Sequence, residues 1–535
     1  MKSKACVRCR QLKKKCNYSR GRLQGCEQCY KLGLACVYDP SFIRSSGRRA
    51  IRPLDVLRED LAMNNSGRKS ALEATVSSVS EEYVPVISPC LYEKPIDQNF
   101  TLSASDVTAS FTLFLEEFHK YLPFHINLHI EPLFARCPLL FWTIVTTTAV
   151  AEGTVGQNAS RTQALVIKVK ALIAERIANP PVRSIEVIQA LVILCTWSLP
   201  FGSILGDMAH TCSALAIQYS MQIGLHRGQR GREFNSKVEV TEVSPLVRLT
   251  TWQACFATHQ ATVTRLGLFS FIAPDFDLLS SLDGRETPLT LTLACKLAHC
   301  SSSFNNALGN SGSSSTGLLE PYSRIRLMEL YSKQLDDLER QYTPEAVTPF
   351  ISVQFLATRL QLWSYALMDD VIESANSVDS LIYAEKSYKD SMKLIDVVER
   401  LDIRYCPTGV PRTVTYAGLT LIRFLYTQLG NSSIAQKDTI VTYLSRIYHL
   451  LAKTGAADSA RARKLIQAYA SLGQDAGRTK DAVKSRASMN LLFNAIWAVK
   501  SWARNTNEDS TLDQIFREFL GEFDEEWSKD FGLVV

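Results

Sequence analysis

Six cysteines near one end of the chain have the types and spacing to do chemistry. Residues 6–36 read CVRCRQLKKKC, then nine residues, then CEQCYKLGLAC. This is C-x2-C-x6-C written twice, giving Cys6, Cys9, Cys16, Cys26, Cys29 and Cys36. Disulfides are one use of such a set. However, the chain opens MKSKACVRC with no apolar run behind its charges, and the other eight cysteines are scattered through apolar surroundings, as free core thiols are. Core packing alone is no better, because forty residues this polar need a staple. Thiolate is a soft ligand that suits tetrahedral Zn at about 2.3 Å. Two independent tetrahedral ions require eight thiolates, so six suffice only when two are shared. The internal repeat makes the first cysteine of each half, Cys6 and Cys26, the simplest shared pair. One zinc held by four thiolates, with two cysteines to spare, is the alternative. In either case the metal is structural, with no open position for a catalytic water.

Charge separates this stretch from the rest. Residues 1–50 carry 13 Lys/Arg against 2 Asp/Glu, net +11, while the other 485 residues carry 46 against 51, net −5. Six thiolates and two divalent ions would leave the module at roughly +9, the footprint of a nucleic-acid binder. The basic residues crowd into the first half: Arg8, Arg10, Lys13, Lys14 and Lys15. Cys9 to Lys15 can form a short helix, with Asn17 able to take the left-handed position after it. Such a helix end can present Lys or Arg to guanine O6 and N7 in a major groove.

The stretch resembles the fungal binuclear zinc-cluster DNA-binding domain, C-x2-C-x6-C-x(5–12)-C-x2-C-x6-C. Its first half and nine-residue gap are similar to the zinc-cluster regulators of branched-chain amino-acid biosynthesis in yeasts. The resemblance implies two structural Zn ions bridged by the first and fourth cysteines. It also implies a base-reading residue four positions after the second cysteine, which is Lys13. Leu12 departs from the family, where that position is usually basic, and the proline often found in the 17–25 loop is missing. Arg10, Lys14 and Lys15 are then assigned to phosphates, and Arg8 is a further DNA-binding residue.

The elements that must carry this module follow in order. Residues 1–40 are the zinc module, expected to hold two short helices. Residues 41–63 are a basic linker that can follow the DNA backbone and extend an import signal. Within it Pro53 opens a short heptad-like pattern, Leu54, Leu57 and Leu61, that offers a homodimer contact but runs under two heptads. Residues 64–105 are Ser-, Thr- and Pro-containing without period and are expected to be a flexible linker. From 106 to 504 helical periodicity dominates, starting with the stripe Val107, Phe111, Phe114, Leu115, Phe118 and Leu122. Helices are expected over 138–152, 160–178, 183–198, 207–222, 245–265, 319–341, 352–369, 377–402, 412–429, 437–453, 460–472 and 483–504. Loops are expected at Pro180-Pro181, 301–317 and 406–411. No apolar run reaches the length of a membrane span. The fold class is a small Zn-stapled two-helix N-terminal module plus a large all-α domain.

Within the large part, CPLLFWTIVTTTAVA, EVIQALVILCTWSLP, SALAIQYSMQIGLHRG and LVRLTTWQACFATHQATVTRLGL resemble successive segments of the fungal transcription-factor regulatory domain, over about 106–275. GLHR at Gly224–Arg227 is the most recognisable fragment. That resemblance implies regulation, in some members by a small-molecule effector. Residues 505–535 carry nine acidic and two basic groups, with Phe516, Phe519, Phe523, Trp527 and Phe531 at helical spacing. They suit an activation segment that docks on coactivators, or equally a last amphipathic helix on the core. His119, His125 and His129, and the set Cys295, His299 and Cys300, lack metal-site spacing. Trp142, Trp197 and Trp252 read as core, with a metabolite cavity among them as the alternative. No phosphate-binding loop, dinucleotide fingerprint or nucleophile elbow occurs.

Together these features imply a nuclear, non-enzymatic, sequence-specific regulator of RNA polymerase II transcription. It would act on double-stranded DNA, reading a CGG-type triplet as an activator. A repressor, a metabolite-switched regulator, and an enzyme or metabolite-binding protein carrying a DNA module remain open.

Overall fold

In the computed structural model the described residues are Cys6, Cys9, Lys15, Cys16, Cys26 and Cys29, and then 85–506 apart from 154–156, 180–183, 201–205, 229–232, 235–242, 285, 369, 372–377, 426–433 and 473–480. The chain divides into two compact units, Met1–Glu82 and Tyr83–Val535. Arg8, Arg10, Lys13, Lys14, Cys36, the 41–63 segment and the acidic tail beyond 506 lie outside the described residues.

The described residues of the second unit are mostly helical, as expected. The unit opens, however, with a stretch the sequence reading had placed in the flexible linker. Residues 87–102 form β1 (Ile87–Ser88), β2 (Lys94–Pro95) and β3 (Thr101–Leu102). β1 pairs in parallel with β4 (Leu128–His129), and β2 pairs antiparallel with β3. Cys90, Ile96 and Leu102 are buried in the main core. A single acid ties the stretch down: Glu131 accepts from the Leu91 backbone N–H at 2.9 Å and from Lys94 at 2.7 Å. Strands of two residues each leave no periodic signal, and the partner of β1 lies some forty residues on, which is why the sequence reads as linker.

The helices follow in a right order set by caps and prolines. α1 (Ala104–Leu113) starts at Ser103, whose hydroxyl accepts from the Asp106 N–H. α2 (Ile130–Arg136) leads into α3 (Pro138–Glu152), whose Leu139 to Thr148 are all buried. A helix apolar on every side belongs at the centre of a core. α4 (Gln157–Ala178), α5 (Ile185–Thr196) and α6 (Ala209–Gln222) follow. α6 ends in the GLHR fragment. Gly224 takes φ +74°, its N–H reaches Met221 O, and the Leu225 N–H reaches Ser220 O at 2.9 Å. This is the paired cap that needs glycine after a helix end.

α7 (Pro245–Arg265) is the axis of the unit and packs against α5, α6 and α9 (Leu289–Gly309). It ends in the same way: Gly267 at φ +64°, with Leu268 N–H on Val263 O. A Cβ at Gly267 would lie 2.6 Å from Arg486 O, so this turn admits only glycine. α8 (Phe276–Ser281) is short; α10 (Pro321–Arg340) and α11 (Pro349–Trp363) both begin with proline, whose missing N–H costs nothing in a first turn. α12 (Val378–Val398), α13 (Gly409–Leu425), α14 (Ile434–Lys453), α15 (Ala457–Ser471) and α16 (Asn490–Thr506) complete the unit. α13 is its second axis, packed against α12, α14, α15 and α16.

Two expected loops are shorter than the sequence suggested. α9 runs through Ser301–Gly309, because Phe304 and Leu308 are fully buried and Asn305 accepts from Tyr365 Oη at 2.9 Å. The serines there hide a helix face, and only 310–319 turns. Likewise Gly409, Val410 and Pro411 already belong to α13, with the proline in its first turn. Among the described residues no helix is long and apolar enough to cross a membrane.

Candidate metal centre and helical-domain cavity

The sulfurs of Cys6, Cys9, Cys16 and Cys26 all lie within 4.8 Å of one another. Among the described residues this is the one group of three or more His, Cys, Asp or Glu side chains whose ligand atoms converge. Cys6 Sγ is 3.8 Å from Cys26 Sγ and 3.9 Å from Cys29 Sγ, and Cys9 Sγ is 3.7 Å from Cys26 Sγ. A disulfide would need about 2.05 Å. A tetrahedron with metal–sulfur bonds of about 2.3 Å has edges of about 3.8 Å, so the spacing fits thiolates around zinc. Backbone groups support the charge: Cys6 N–H points at Cys16 Sγ at 3.4 Å and Cys9 N–H at Cys6 Sγ at 3.5 Å. The Cys29 backbone N–H, followed by neighbouring thiols, draws Cys26 down to about 6, while desolvation first and then its contacts with Cys6 and Cys26 push Cys9 up. Cys6, Cys9, Cys26 and Cys29 are buried, and Cys16 is partly so. Cys9 and Cys29, the second cysteine of each half, are both helical. Lys15 is exposed.

The histidines set aside on sequence make other contacts. His119 Nε2 pairs with Phe124 O at 2.8 Å, His125 Nδ1 lies 3.3 Å from Thr250 Oγ1, and His129 is exposed. Cys295 donates to Gln253 O at 3.2 Å, within the core. Trp142, Trp197 and Trp252 are buried, and Trp197 Nε1 donates to Tyr405 O at 3.0 Å.

A cavity of about 190 Å³ does exist, but these tryptophans do not line it. It lies between α5, α7, α9, α11 and α13, walled in part by Leu291, Leu297, Phe350, Val353 and Val410 and in part by polar groups, among them Arg265, Thr258, Gln260, Ser301, Gln354 and Gln361. A second cavity of about 90 Å³ shares Arg265, Ala357, Gln361 and Thr413 with it. Sequence periodicity marks these positions only as helix faces, since the gap between helices is a property of packing.

Residues 4–45 match the fungal Zn(2)-Cys(6) binuclear cluster domain, and residues 112–364 match the fungal specific transcription factor domain. The chain carries the two domains of a fungal zinc-cluster transcription factor. Transcriptional regulatory protein SEF1 of Candida albicans is 25% identical over 499 residues, covering 78% of this chain and 53% of that protein. Regulatory protein LEU3 of Saccharomyces cerevisiae is 21% identical over 475 residues, covering 72% and 53%. The chain spans between 29% and 53% of the length of the curated relatives it matches. No solved structure matches it.

Within the matched domains the zinc cluster comprises the converging cysteines, and the transcription factor domain includes α7, α9 and α11 of the cavity wall. The GLHR fragment belongs to the second domain and is explained by its cap. The Arg265 side of the cavity has no motif in the sequence and is missed by sequence reasoning.

Proposed function

We propose that the chain is a nuclear, zinc-dependent regulator of transcription that binds double-stranded DNA in a sequence-specific manner. The observation that carries this reading is the group of cysteine sulfurs at 3.7–3.9 Å, the edge length of a zinc–thiolate tetrahedron. The regulatory names of the SEF1 and LEU3 relatives agree with it. We assign two zinc ions, with Cys6 and Cys26 shared. Each of these sulfurs touches sulfurs of the other half, Cys6 with Cys29 and Cys26 with Cys9, which supports sharing. Cys36 completes the second site. When bound, the metal supplies cross-linking in place of a hydrophobic core.

Lys13 is assigned to guanine edges of a CGG-type triplet, with Arg10, Lys14 and Lys15 on phosphates and Arg8 as a further DNA contact. The large unit is read as regulatory, not catalytic, and the acidic tail as the activating segment. Selection from random DNA with the full chain, with zinc and after chelation, tests the reading. It expects a CGG-type triplet with zinc and no enrichment without it. Salt-sensitive binding with no preferred sequence under both conditions overturns it.

A further inference from the structure

A cleft of about 360 Å³ opens where α7 meets α8 and the turn after α6. Leu249 and Trp252 of α7, His226 of the turn, and Asp277, Ser281 and Glu286 belong to its wall. Trp252 is only 5% exposed and His226 only 7%, yet Trp252 Nε1 and His226 Nδ1 have no hydrogen-bond partner. A buried indole N–H is normally paired, so an orphan one on the wall of a cleft marks where the acceptor of a ligand goes. The rings are held in place by stacking: His226 is edge-on to Trp252 at 5.9 Å and to Phe234 at 4.7 Å.

The wall is acidic: Asp277 and Glu286 line it, and among the described residues no Lys or Arg does. Arg227 stands beside the cleft, but its guanidinium lies over Phe276 at 5.2 Å and 3.3 Å from Asp275, with Asp277 at the outer limit of 4.0 Å. Asp275 also caps α8, accepting from the Leu278 N–H at 2.9 Å. A site of this sign repels phosphate and favours an ammonium or guanidinium. Apolar surface continues from it. Leu268, Phe271, Phe276 and Leu279 are all more than a third exposed, Phe271 the most at 69%. Phe271 lies edge-on to His259 at 4.9 Å, and His259 Nε2 is another buried atom with no partner. His259 is two turns along the same face of α7 from Trp252, about 10 Å. That is the span of about three residues of extended chain, so the surface is a track for a polypeptide and not a hole for a small molecule.

We propose that this face of α7 docks an extended basic segment of a partner protein. A Lys or Arg of the segment enters the cleft, its stem against Leu249 and its charge on Asp277 and Glu286. A carbonyl of the segment accepts from Trp252 Nε1, and an apolar side chain three or four positions away rests on Phe271. The inference goes beyond the proposed function, which gives the large unit no partner. The chemistry is a charge-assisted contact beside an aromatic anchor.

The test pans a phage library of random peptides on the full zinc-loaded chain, with duplex competitor DNA present. Enriched peptides are expected to carry a Lys or Arg with an aromatic or aliphatic residue three or four positions away. A synthetic copy of the strongest, read by fluorescence anisotropy, should bind the parent chain saturably. Asp277→Asn should weaken it about 10-fold, the loss of one charge-assisted contact, and Phe271→Ser by about as much, the loss of an apolar anchor. Glu286→Gln, at an exposed position, should weaken it about 3-fold. All three variants should melt with the parent. Gln in place of the cation of the peptide should cost the parent the same 10-fold and needs no variant to fold. Failure to enrich such peptides overturns the proposal, as does equal binding to the parent, Asp277→Asn and Phe271→Ser. Self-association of the chain that is lost in Phe271→Ser gives the face to a second copy and overturns it too. DNA binding, measured on the same samples, should be unchanged in every variant and reports separately on the zinc-cluster reading.

Discussion

Arg412→Met should destabilise the large unit by about 3 kcal/mol, mostly because of what it leaves behind. Arg412, in the first turn of α13, bridges Asp207 ahead of α6 and Asp458 of α15. The Asp207 side chain is only 8% exposed, so without the guanidinium its charge sits almost fully desolvated. Breaking one side of a buried pair costs roughly 3–5 kcal/mol. The lower end applies here, because Asp458 is 22% exposed and keeps Arg461. An unfolding entropy of about 2.1 cal/mol/K per residue over Tyr83–Val535 makes this a fall of about 3 °C in melting temperature. The assay is calorimetric melting of Arg412→Met, Asp207→Asn and the double variant. Asp207→Asn should rescue a large part of the loss, with a coupling energy above ~1.5 kcal/mol in the double-mutant cycle. A coupling energy below ~0.5 kcal/mol would refute the reasoning that Asp207 is stranded.

Three other outcomes are expected. Burial first, and then His210, hold His259 down at about 4, and burial likewise lowers His119, His125, His226 and His299. The unfolded chain takes up these protons near pH 6.5 while the fold resists, so stability should be full above that pH. It should fall as pH drops from about 6.5 towards 4, by up to ~1.4 kcal/mol per pH unit for each group. A flat melting temperature over that window speaks against it. In the zinc module, Lys13→Ala should relax preference for the triplet, while Lys14→Ala should weaken all sequences alike and lower the salt slope by about one. Unchanged preference in Lys13→Ala, read by binding to a set of triplet variants, removes that residue from base contact. Residues 505–535 fused to an unrelated DNA-binding domain should activate a reporter; silence would make the segment a last core helix.

The chemistry of the zinc module was legible because thiol spacing is a local code: six cysteines, one repeat and one charge run need no tertiary information. The all-α class was legible for the same reason, from stripes such as Val107, Phe111, Phe114 and Phe118. What escaped depended on distant partners. The strands at 87–102 are held by Glu131 and the 128–129 strand, not by their own pattern. The last turns of α9 look like a serine loop until Tyr365 and Ser488 close on Asn305. Arg265 reads as an ordinary basic helix end, which favours a cation on dipole grounds alone. Only packing reveals that the carboxylates acting on it, Asp207 and Asp458, are engaged by Arg412.

The central claim is a shared-ligand cluster of two zinc ions, and the zinc content of the purified chain by mass spectrometry tests it most directly. The account predicts two zinc per chain, falling to none in Cys6→Ser because that sulfur serves both sites. One zinc per chain, with Cys29→Ser and Cys36→Ser leaving it unchanged, would contradict the account and assign the metal to Cys6, Cys9, Cys16 and Cys26 alone.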